Sequence, residues 1–187
     1  MDEPEDLISV LIEEHRDLWQ LGTELSCLSP SEPLAHALGE LMTAELVRHI
    51  VAEESFVYPV ARTHLPQGDL VVEQEIAAHA KLEQMMRELE RPGLTRAEFD
   101  ALHVRMPAEA RRHMQTEEEW LFPLLAERLS AEELLALGRK AIEAKEKASI
   151  RQRLAEPEGS LLNRIVASGT TLVDRVRAYL QDTGYAS

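Results

Sequence analysis

The stretch HIVAEESFVYP, residues 49–59, combines a histidine, two acids that follow it by four and five residues, and an aromatic–proline pair. A similar stretch, HMQTEEEWLFP, occupies residues 113–123. The two copies are offset by 64 residues, and the same offset relates His15 to His79. The repeated unit is therefore a histidine, 33 intervening residues, and a second histidine with its acids. Such an internal repeat predicts two equivalent helical hairpins around a pseudo-two-fold axis.

Apolar residues recur at helical spacing through both copies, and strand-like alternation is missing. Prolines and glycines interrupt the pattern at residues 28–33, 64–69 and 91–93, where we expect helices to end. Connections this short join antiparallel neighbours. We therefore predict an all-α fold, an up-down antiparallel four-helix bundle with additional C-terminal helices. Pro107 is expected to kink or divide the fourth helix. The predicted helices cover residues 5–27, 34–63, 70–90 and 96–128.

A C-terminal helical extension, residues 129–187, follows the predicted bundle domain, residues 1–128. Ser130 and Glu133 suit a capping box, which would open a charged helix that runs to about Leu154 and is followed by a linker. A second amphipathic helix is predicted from Leu161 to Leu180. Its apolar stripe suits either packing on the outside of the bundle or a homodimer contact, and both alternatives stay open.

The composition excludes several classes of function. The 187 residues include 34 acids and 20 basic residues, which gives a formal net charge of −14 and repels phosphate backbones and anionic lipids. We expect no nucleic-acid partner and no membrane partner. The single cysteine excludes an internal disulfide and a site built from several thiolates. The acidic N-terminus and the lack of a long apolar run predict neither export nor a membrane span, so we expect a cytoplasmic protein.

The repeated histidines and acids are candidate metal ligands. Residues four apart share a helix face, so His49 with Glu53, and His113 with Glu117, each present an imidazole beside a carboxylate. Residues seven positions from the repeated histidines are mostly apolar, which predicts that these side chains point into the core. Buried carboxylates are costly unless an opposite charge compensates them. We therefore predict two metal ions bridged by the two glutamates.

The same residues allow other interpretations, which the sequence favours less. A single histidine on an apolar stripe is more often a hydrogen-bonded core residue, and a single glutamate four residues on is usually solvated. Six residues that match across one offset favour metal binding instead. A ferritin-like site needs a glutamate three residues before a histidine, and no histidine here has one. Imidazole and carboxylate together suit iron, manganese or zinc.

These residues resemble the hemerythrin-like, or HHE cation-binding, family over roughly residues 5–128. The resemblance implies an antiparallel four-helix bundle that encloses a pair of non-haem irons with an oxo or hydroxo bridge. The nitrogen ligands would be His15, His49, His79 and His113. The bridging carboxylates would be Glu53 and Glu117.

The sequence departs from the oxygen-carrying hemerythrins at Glu83, where those proteins use a fifth histidine. Glu83 is a candidate ligand, and solvation at the bundle edge is the alternative. An added carboxylate ligand would donate charge to the iron and favour its oxidised state. Such a centre would be expected to react with oxygen or peroxide rather than to carry oxygen reversibly. In the last helix, the acidic metal ligand of the oxygen carriers corresponds to Glu118, whereas the internal repeat favours Glu117. Both residues are therefore candidate metal ligands.

Residues beside the motif have expected supporting roles. Glu45 and Glu109 lie four residues before His49 and His113. They could accept the outer imidazole N–H, but we favour ion pairs with nearby arginines. Tyr58 and Phe122 are expected to seal the site against water, and Trp19 and Trp120 to fill the core. The remaining histidines are expected to be exposed or in loops: His36, His64 and His103.

The leading functional hypothesis is a di-iron protein that binds or reacts with O₂, peroxide or NO, in oxygen or redox handling or in sensing. Whether it is an enzyme stays open. The alternative is a regulatory or interaction module without turnover, in which metal orders the bundle and the C-terminal helices carry the signal to a partner.

Overall fold

A computed structural model describes residues 5–29, 32–147 and 171–184. The regular structure in these residues is entirely helical, which confirms the predicted fold class. Four helical rods form the bundle, and their ends lie close to the predicted ones. They are α1 (Leu7–Ser26), α2 (Pro33–Ala52) continued by α3 (Tyr58–His64), α4 (Gly68–Leu89), and α5 (Arg96–Thr116) continued by α6 (Phe122–Arg128).

Local signals in the sequence explain where the rods begin. The Asp6 side chain caps α1 by accepting the Ser9 N–H at 2.9 Å. Thr95 and Glu98 form a capping box at the start of α5. At the start of α4, a side chain at Gly68 would collide with the backbone of α3, so the close approach of these two helices requires glycine.

Two π-helical turns, Glu53–Val57 and Glu117–Leu121, connect α2 to α3 and α5 to α6. In each turn, the residue that follows donates its backbone N–H to the carbonyl five residues earlier. Pro59 and Pro123 lie just after the turns. Because proline has no N–H and crowds the preceding turn, the extra residue of a π turn relieves the clash. The helical periodicity predicted unbroken helices here and missed both turns.

The fourth rod passes Pro107 undivided, as a single helix over Arg96–Thr116. Gly22 on α1 makes room for the proline ring, because a Cβ on Gly22 would lie 3.2 Å from the Pro107 Cβ. Of the two effects expected of Pro107, the division of the helix is therefore wrong, and the kink stays a prediction.

The extension contributes α7 (Ala131–Lys147) and α8 (Leu172–Asp182). The capping box of Ser130 and Glu133 opens α7 as predicted. Thr171 is an extended N-cap, so the helix predicted from Leu161 does not pass through this residue. The predicted end of α7 at Leu154, the linker and the start of the second tail helix lie outside the described residues.

Both extension helices lie against the bundle: α7 packs on α1, and α8 packs on α2 and α4. The apolar stripe of α8 is buried there, namely Leu172, Val173, Val176 and Leu180. The described part of the extension therefore packs on the bundle. As a result, α2 is covered on its outer as well as its inner side, and residues 42–53 are buried without interruption. Within the described ranges, we find no helix with the length and hydropathy that crossing a membrane requires.

Four side-chain expectations were wrong. Trp19 and Trp120 are 42% and 41% exposed rather than core residues. The Arg111 guanidinium covers the Trp19 ring at 3.8 Å, which gives this exposed ring a cation–π partner. His103 is buried, and its Nε2 lies 3.1 Å from the Leu25 carbonyl, to which it donates. As expected, His36 is exposed. His64 is half-buried and is the last residue of α3, rather than an exposed or loop residue.

Candidate metal centre

Six of the eight candidate ligands meet in the middle of the bundle. Each of the four rods supplies one histidine, and each π turn begins with one glutamate. All six side chains are buried. Their ligand atoms form two groups, each with two histidines and both glutamates, and the atoms of a group lie within 4.8 Å of one another. The first group contains His15 and His49, the second His79 and His113, and both share Glu53 and Glu117.

The first position lies between α1 and the end of α2. The Nε2 atoms of His15 and His49 are 3.0 Å apart. Glu117 Oε2 lies 3.5 Å from the Nε2 of His15. Glu53 Oε1 lies 3.4 Å from the Nε2 of His49. This position therefore gathers two imidazole nitrogens and one oxygen from each carboxylate.

The second position repeats this arrangement between α4 and α5. The Nε2 atoms of His79 and His113 are 2.9 Å apart. Glu53 Oε2 lies 3.0 Å from the Nε2 of His79, and Glu117 Oε1 lies 3.4 Å from that of His113. Each carboxylate thus turns one oxygen to each position, as a group that bridges two cations must do.

The charge balance of this cluster favours a cation. All four carboxylate oxygens of Glu53 and Glu117 are buried, and none has a hydrogen-bond partner in the described part of the chain. A buried ion without compensation costs several kcal/mol. Imidazole nitrogen and carboxylate oxygen are ligands for iron, manganese and zinc. The donor set therefore fits a pair of such ions.

Burial also sets the protonation of the ligands when no cation is present. Burial, with the nearby charge of His49, lowers the pKa of His15 to about 4. Burial likewise lowers the pKa of His113 to about 3, so both imidazoles are neutral near pH 7. Burial opposes charge on His49, but Glu53 and Glu14 outweigh it and raise the pKa of His49 to about 9. Burial and the charge of Glu53 raise the pKa of Glu117 well above its usual range.

The outer nitrogens of the first two histidines face carboxylates. Glu118 Oε1 lies 2.8 Å from the Nδ1 of His15, and Glu14 Oε2 lies 3.0 Å from the Nδ1 of His49. An acceptor at Nδ1 holds the proton there, which leaves the Nε2 lone pair free to face the cluster. Glu118, a candidate ligand from the sequence, thus contacts a ligand and is absent from both ligand groups.

The other two histidines have different partners. The Tyr58 hydroxyl lies 2.8 Å from the Nδ1 of His79. Glu75 Oε2 is 3.5 Å from the Nδ1 of His113, too long for a good hydrogen bond. The hydrogen-bond partners behind the imidazoles therefore differ between the two positions, although the candidate ligands at the two positions are equivalent in the repeat.

Aromatic rings close the cluster as the sequence analysis expected. Phe122 stacks on His15 with ring centroids 5.5 Å apart, and Tyr58 stacks on His79 at 5.6 Å. Both aromatic side chains are buried. These two residues are equivalent in the repeat, but only Tyr58 has a hydroxyl. On the phenylalanine side, Glu118 supplies the oxygen at Nδ1 instead.

Basic side chains form ion pairs with acids near both positions. Arg48 Nη1 donates to Glu14 at 2.6 Å, and Lys145 of α7 lies 3.4 Å from the same oxygen. Arg48 also binds Glu45 at 3.0 Å. Glu109 binds Lys81 at 2.7 Å and also binds Arg112. Glu45 and Glu109 are therefore in ion pairs, the reading that the sequence analysis favoured.

Glu83 does not join the two ligand groups. Its carboxylate binds two arginines, Arg87 at 2.9 Å and Arg177 of α8 at 2.6 Å. Neither of the two roles expected from the sequence, metal ligation or solvation, included these arginine partners.

Glu14 and Glu75 were also missed, although the sequence carries a signal for both. Apolar residues flank Glu14 at four and seven positions, and Glu75 lies four residues before His79 on a similarly apolar stripe. An acid inside such a stripe is unusual on a helix that packs in a core. The internal repeat does not mark either acid, because neither has an equivalent 64 residues away.

A surface cleft of about 290 Å³ lies beside the second position. Residues that line it include Glu75, Ala78, His113 and Trp120. A ligand of this centre is thus in contact with a cleft that opens to solvent.

Comparison with known proteins gives one finding. The family model described as the hemerythrin HHE cation binding domain matches residues 6–125. No curated protein and no solved structure matches the chain.

Proposed function

The chain belongs to the hemerythrin HHE cation-binding family, and from this premise we propose that it holds two iron ions and binds or reacts with O₂, peroxide or NO. The first ion would be held by His15 and His49, and the second by His79 and His113. Glu53 and Glu117 would bridge the two. The function is oxygen or redox handling, or sensing.

One observation carries the proposal: four buried carboxylate oxygens lack hydrogen-bond partners in the described part of the chain, and each lies within 3.5 Å of a different histidine Nε2. A fold that needed these residues only for stability would be better served by apolar side chains, because buried carboxyl groups without hydrogen-bond partners are destabilising. Their presence in the core is explained by a bound cation.

When bound, iron supplies redox chemistry and coordination places for a small ligand. Residues of the chain orient the imidazoles toward the proposed iron positions. Glu118, Glu14 and Tyr58 accept the Nδ1 protons of their histidines and so keep each Nε2 lone pair directed inward. Phe122 and the Tyr58 ring exclude water from above two of these imidazoles.

The two positions differ in ways that assign them different tasks. Glu118 and Glu14 make the imidazoles of the first position more basic, so this position holds its ion more firmly. The second position has a hydroxyl and a distant carboxylate behind its imidazoles, and His113 borders the surface cleft. External ligands therefore bind on the His79–His113 side.

The proposal is tested by iron content and absorption spectra of the reduced, iron-loaded protein before and after addition of oxygen, peroxide or NO. We expect about two irons per chain, one for each ligand group, and a change in near-ultraviolet absorption on reaction. Glu117→Gln should lose iron, whereas Glu119→Gln, an exposed neighbour, should not. A protein that binds no iron would contradict the proposal, and so would bound iron whose absorption is changed by none of oxygen, peroxide and NO.

A second function is favoured by one feature of the extension: Lys145 of α7 and Arg177 of α8 contact acids that adjoin the ligands. In a metal-ordered interaction module, zinc alone would order these helices. Hydrogen exchange of α8 that slows strongly with zinc, in a protein whose iron form is inert, would favour this module over the reactive centre.

A further inference from the structure

The spacing of a histidine and a glutamate four residues later occurs three times around the centre. In two of these pairs the glutamate faces the cluster, but in the third it faces away to arginines. All three glutamates are buried. The pairs are His49 with Glu53, His113 with Glu117, and His79 with Glu83.

The backbone also differs between these pairs. Glu53 and Glu117 begin π-helical turns, whereas Glu83 lies within the regular helix α4. On a regular helix, residues four apart lie one above the other on the same face, with Cβ atoms about 5–6 Å apart. Glu83 is thus one turn from His79, a ligand of the second position, and only 8% exposed.

Arginines engage both oxygens of Glu83. Arg177 Nε donates to Oε1 at 2.6 Å, and Arg87 Nη1 donates to Oε2 at 2.9 Å. The same Arg177 guanidinium also binds Glu54 through two hydrogen bonds of 2.9 Å. Because Glu54 follows the bridging Glu53, α8 delivers one cation between two acids that both adjoin ligands.

The contacts around Arg177 hold its guanidinium in place. Its helix is anchored on the bundle by buried apolar residues, and Arg87 additionally bonds Asp174 of α8 at 2.9 Å. A planar guanidinium with two-point contacts is a strong competitor for a carboxylate. Without it, Glu83 would keep only its contact with Arg87 through Oε2, and Oε1, one turn from a ligand, would have no arginine partner to compete with the metal.

We propose that Arg177 is a positioning residue that keeps Glu83 out of the coordination sphere of the second ion, so that a place stays open for an external ligand. This inference rests on the proposed metal centre but not on its reactivity. The extension is then part of the site: α8 sets how accessible the His79–His113 position is to small anions and to diatomic or peroxide ligands.

The test uses the full-length protein loaded with cobalt(II), a divalent ion whose d–d spectrum reports its coordination, and azide as the external ligand. In Arg177→Gln, the freed Glu83 should occupy the open place, which changes the cobalt spectrum before azide is added. If Glu83 fills that place about 90% of the time, the apparent azide affinity falls about tenfold.

Two further variants separate this effect from damage to the fold. Adding Glu83→Gln to Arg177→Gln should restore azide binding to about the wild-type affinity, because the amide is a poor ligand. Arg175→Gln, on the same helix and paired with Glu90, should leave the azide affinity unchanged. Thermal unfolding of each variant reports whether α8 is still docked.

Equal azide affinity in the wild type and Arg177→Gln would overturn the inference, as would failure of the second substitution to restore it. Neither result would bear on reaction of the iron form with oxygen or peroxide, because cobalt and azide need no electron transfer. A chain that binds no cobalt would overturn this inference together with the metal centre.

Discussion

At the scale of single residues, Glu14 shows how the chain keeps a charge in its core. The side chain is 2% exposed, yet His49, Arg48 and Lys145 all contact its carboxylate. Burial would raise the pKa of Glu14, but the hydrogen bond from His49 and the charge of Arg48 hold it well below its usual range. Glu14 therefore stays ionised and polarises the His49 imidazole toward the centre.

Glu14→Gln should lower metal affinity about 10–100-fold, because an amide is a weaker acceptor for the His49 N–H than a carboxylate. The measurement is competition with a chelator. Glu13→Gln changes the exposed neighbouring acid and should retain wild-type affinity. If both variants bind metal equally well, the contact between Glu14 and His49 does not tune the ligand.

At the scale of helices, close approach decides which positions require glycine. On α7, a Cβ at Gly138 would collide with the backbone of Glu5 and Asp6, just before α1. On α2, a Cβ at Gly39 would meet nothing within 4 Å. Both glycines lie inside helices, where glycine is unfavourable by itself. Only Gly138 has a packing reason to be there.

The two glycines should therefore respond to alanine with opposite signs in urea unfolding. Gly138→Ala should lower the free energy of unfolding by about 1–3 kcal/mol, because α7 must shift away from the start of α1. Gly39→Ala should raise it by about 0.5–1 kcal/mol, through the better helix propensity of alanine. Stabilisation by both substitutions would mean that α7 is not held tightly against α1.

At the scale of the whole molecule, the extension completes the bundle. α8 buries its apolar stripe on the outer sides of α2 and α4, and its polar side brings Arg177 to Glu54 and Glu83. Packing and charge therefore act together, because the apolar contacts hold the guanidinium in place. A change in the packing of α8 should reach the metal centre through this arginine.

Val176→Asp should detach α8, since it places a carboxylate at a fully buried site and unpaired buried charges are strongly unfavourable. We expect hydrogen exchange to rise in α8 while α1 and α5 stay protected, and azide affinity to fall as in Arg177→Gln. Ala178→Asp changes an exposed residue of the same helix and should do neither. Unchanged exchange in the Val176 variant would contradict this coupling.

Much of the fold and of the candidate metal cluster could be predicted because both depend on local order along the chain. Helical periodicity and helix-ending residues defined the four rods, and the 64-residue repeat marked the six side chains that converge. Neither signal predicted the π turns, because these turns do not interrupt the apolar pattern of the sequence. The unrepeated acids Glu14 and Glu75 were missed for a related reason, since a search for equivalent residues finds only pairs.

By itself, the sequence determined the helices, their antiparallel order and the six imidazole and carboxylate side chains that converge in the core. The tertiary structure alone decided that Glu118 supports His15 and that Glu83 binds Arg177, contacts between residues 103 and 94 positions apart. Periodicity acts over a few residues, whereas the partner of a buried charge is whatever distant group packing brings within hydrogen-bond reach. That difference in range is why the converging side chains were predictable and their hydrogen-bond partners were not.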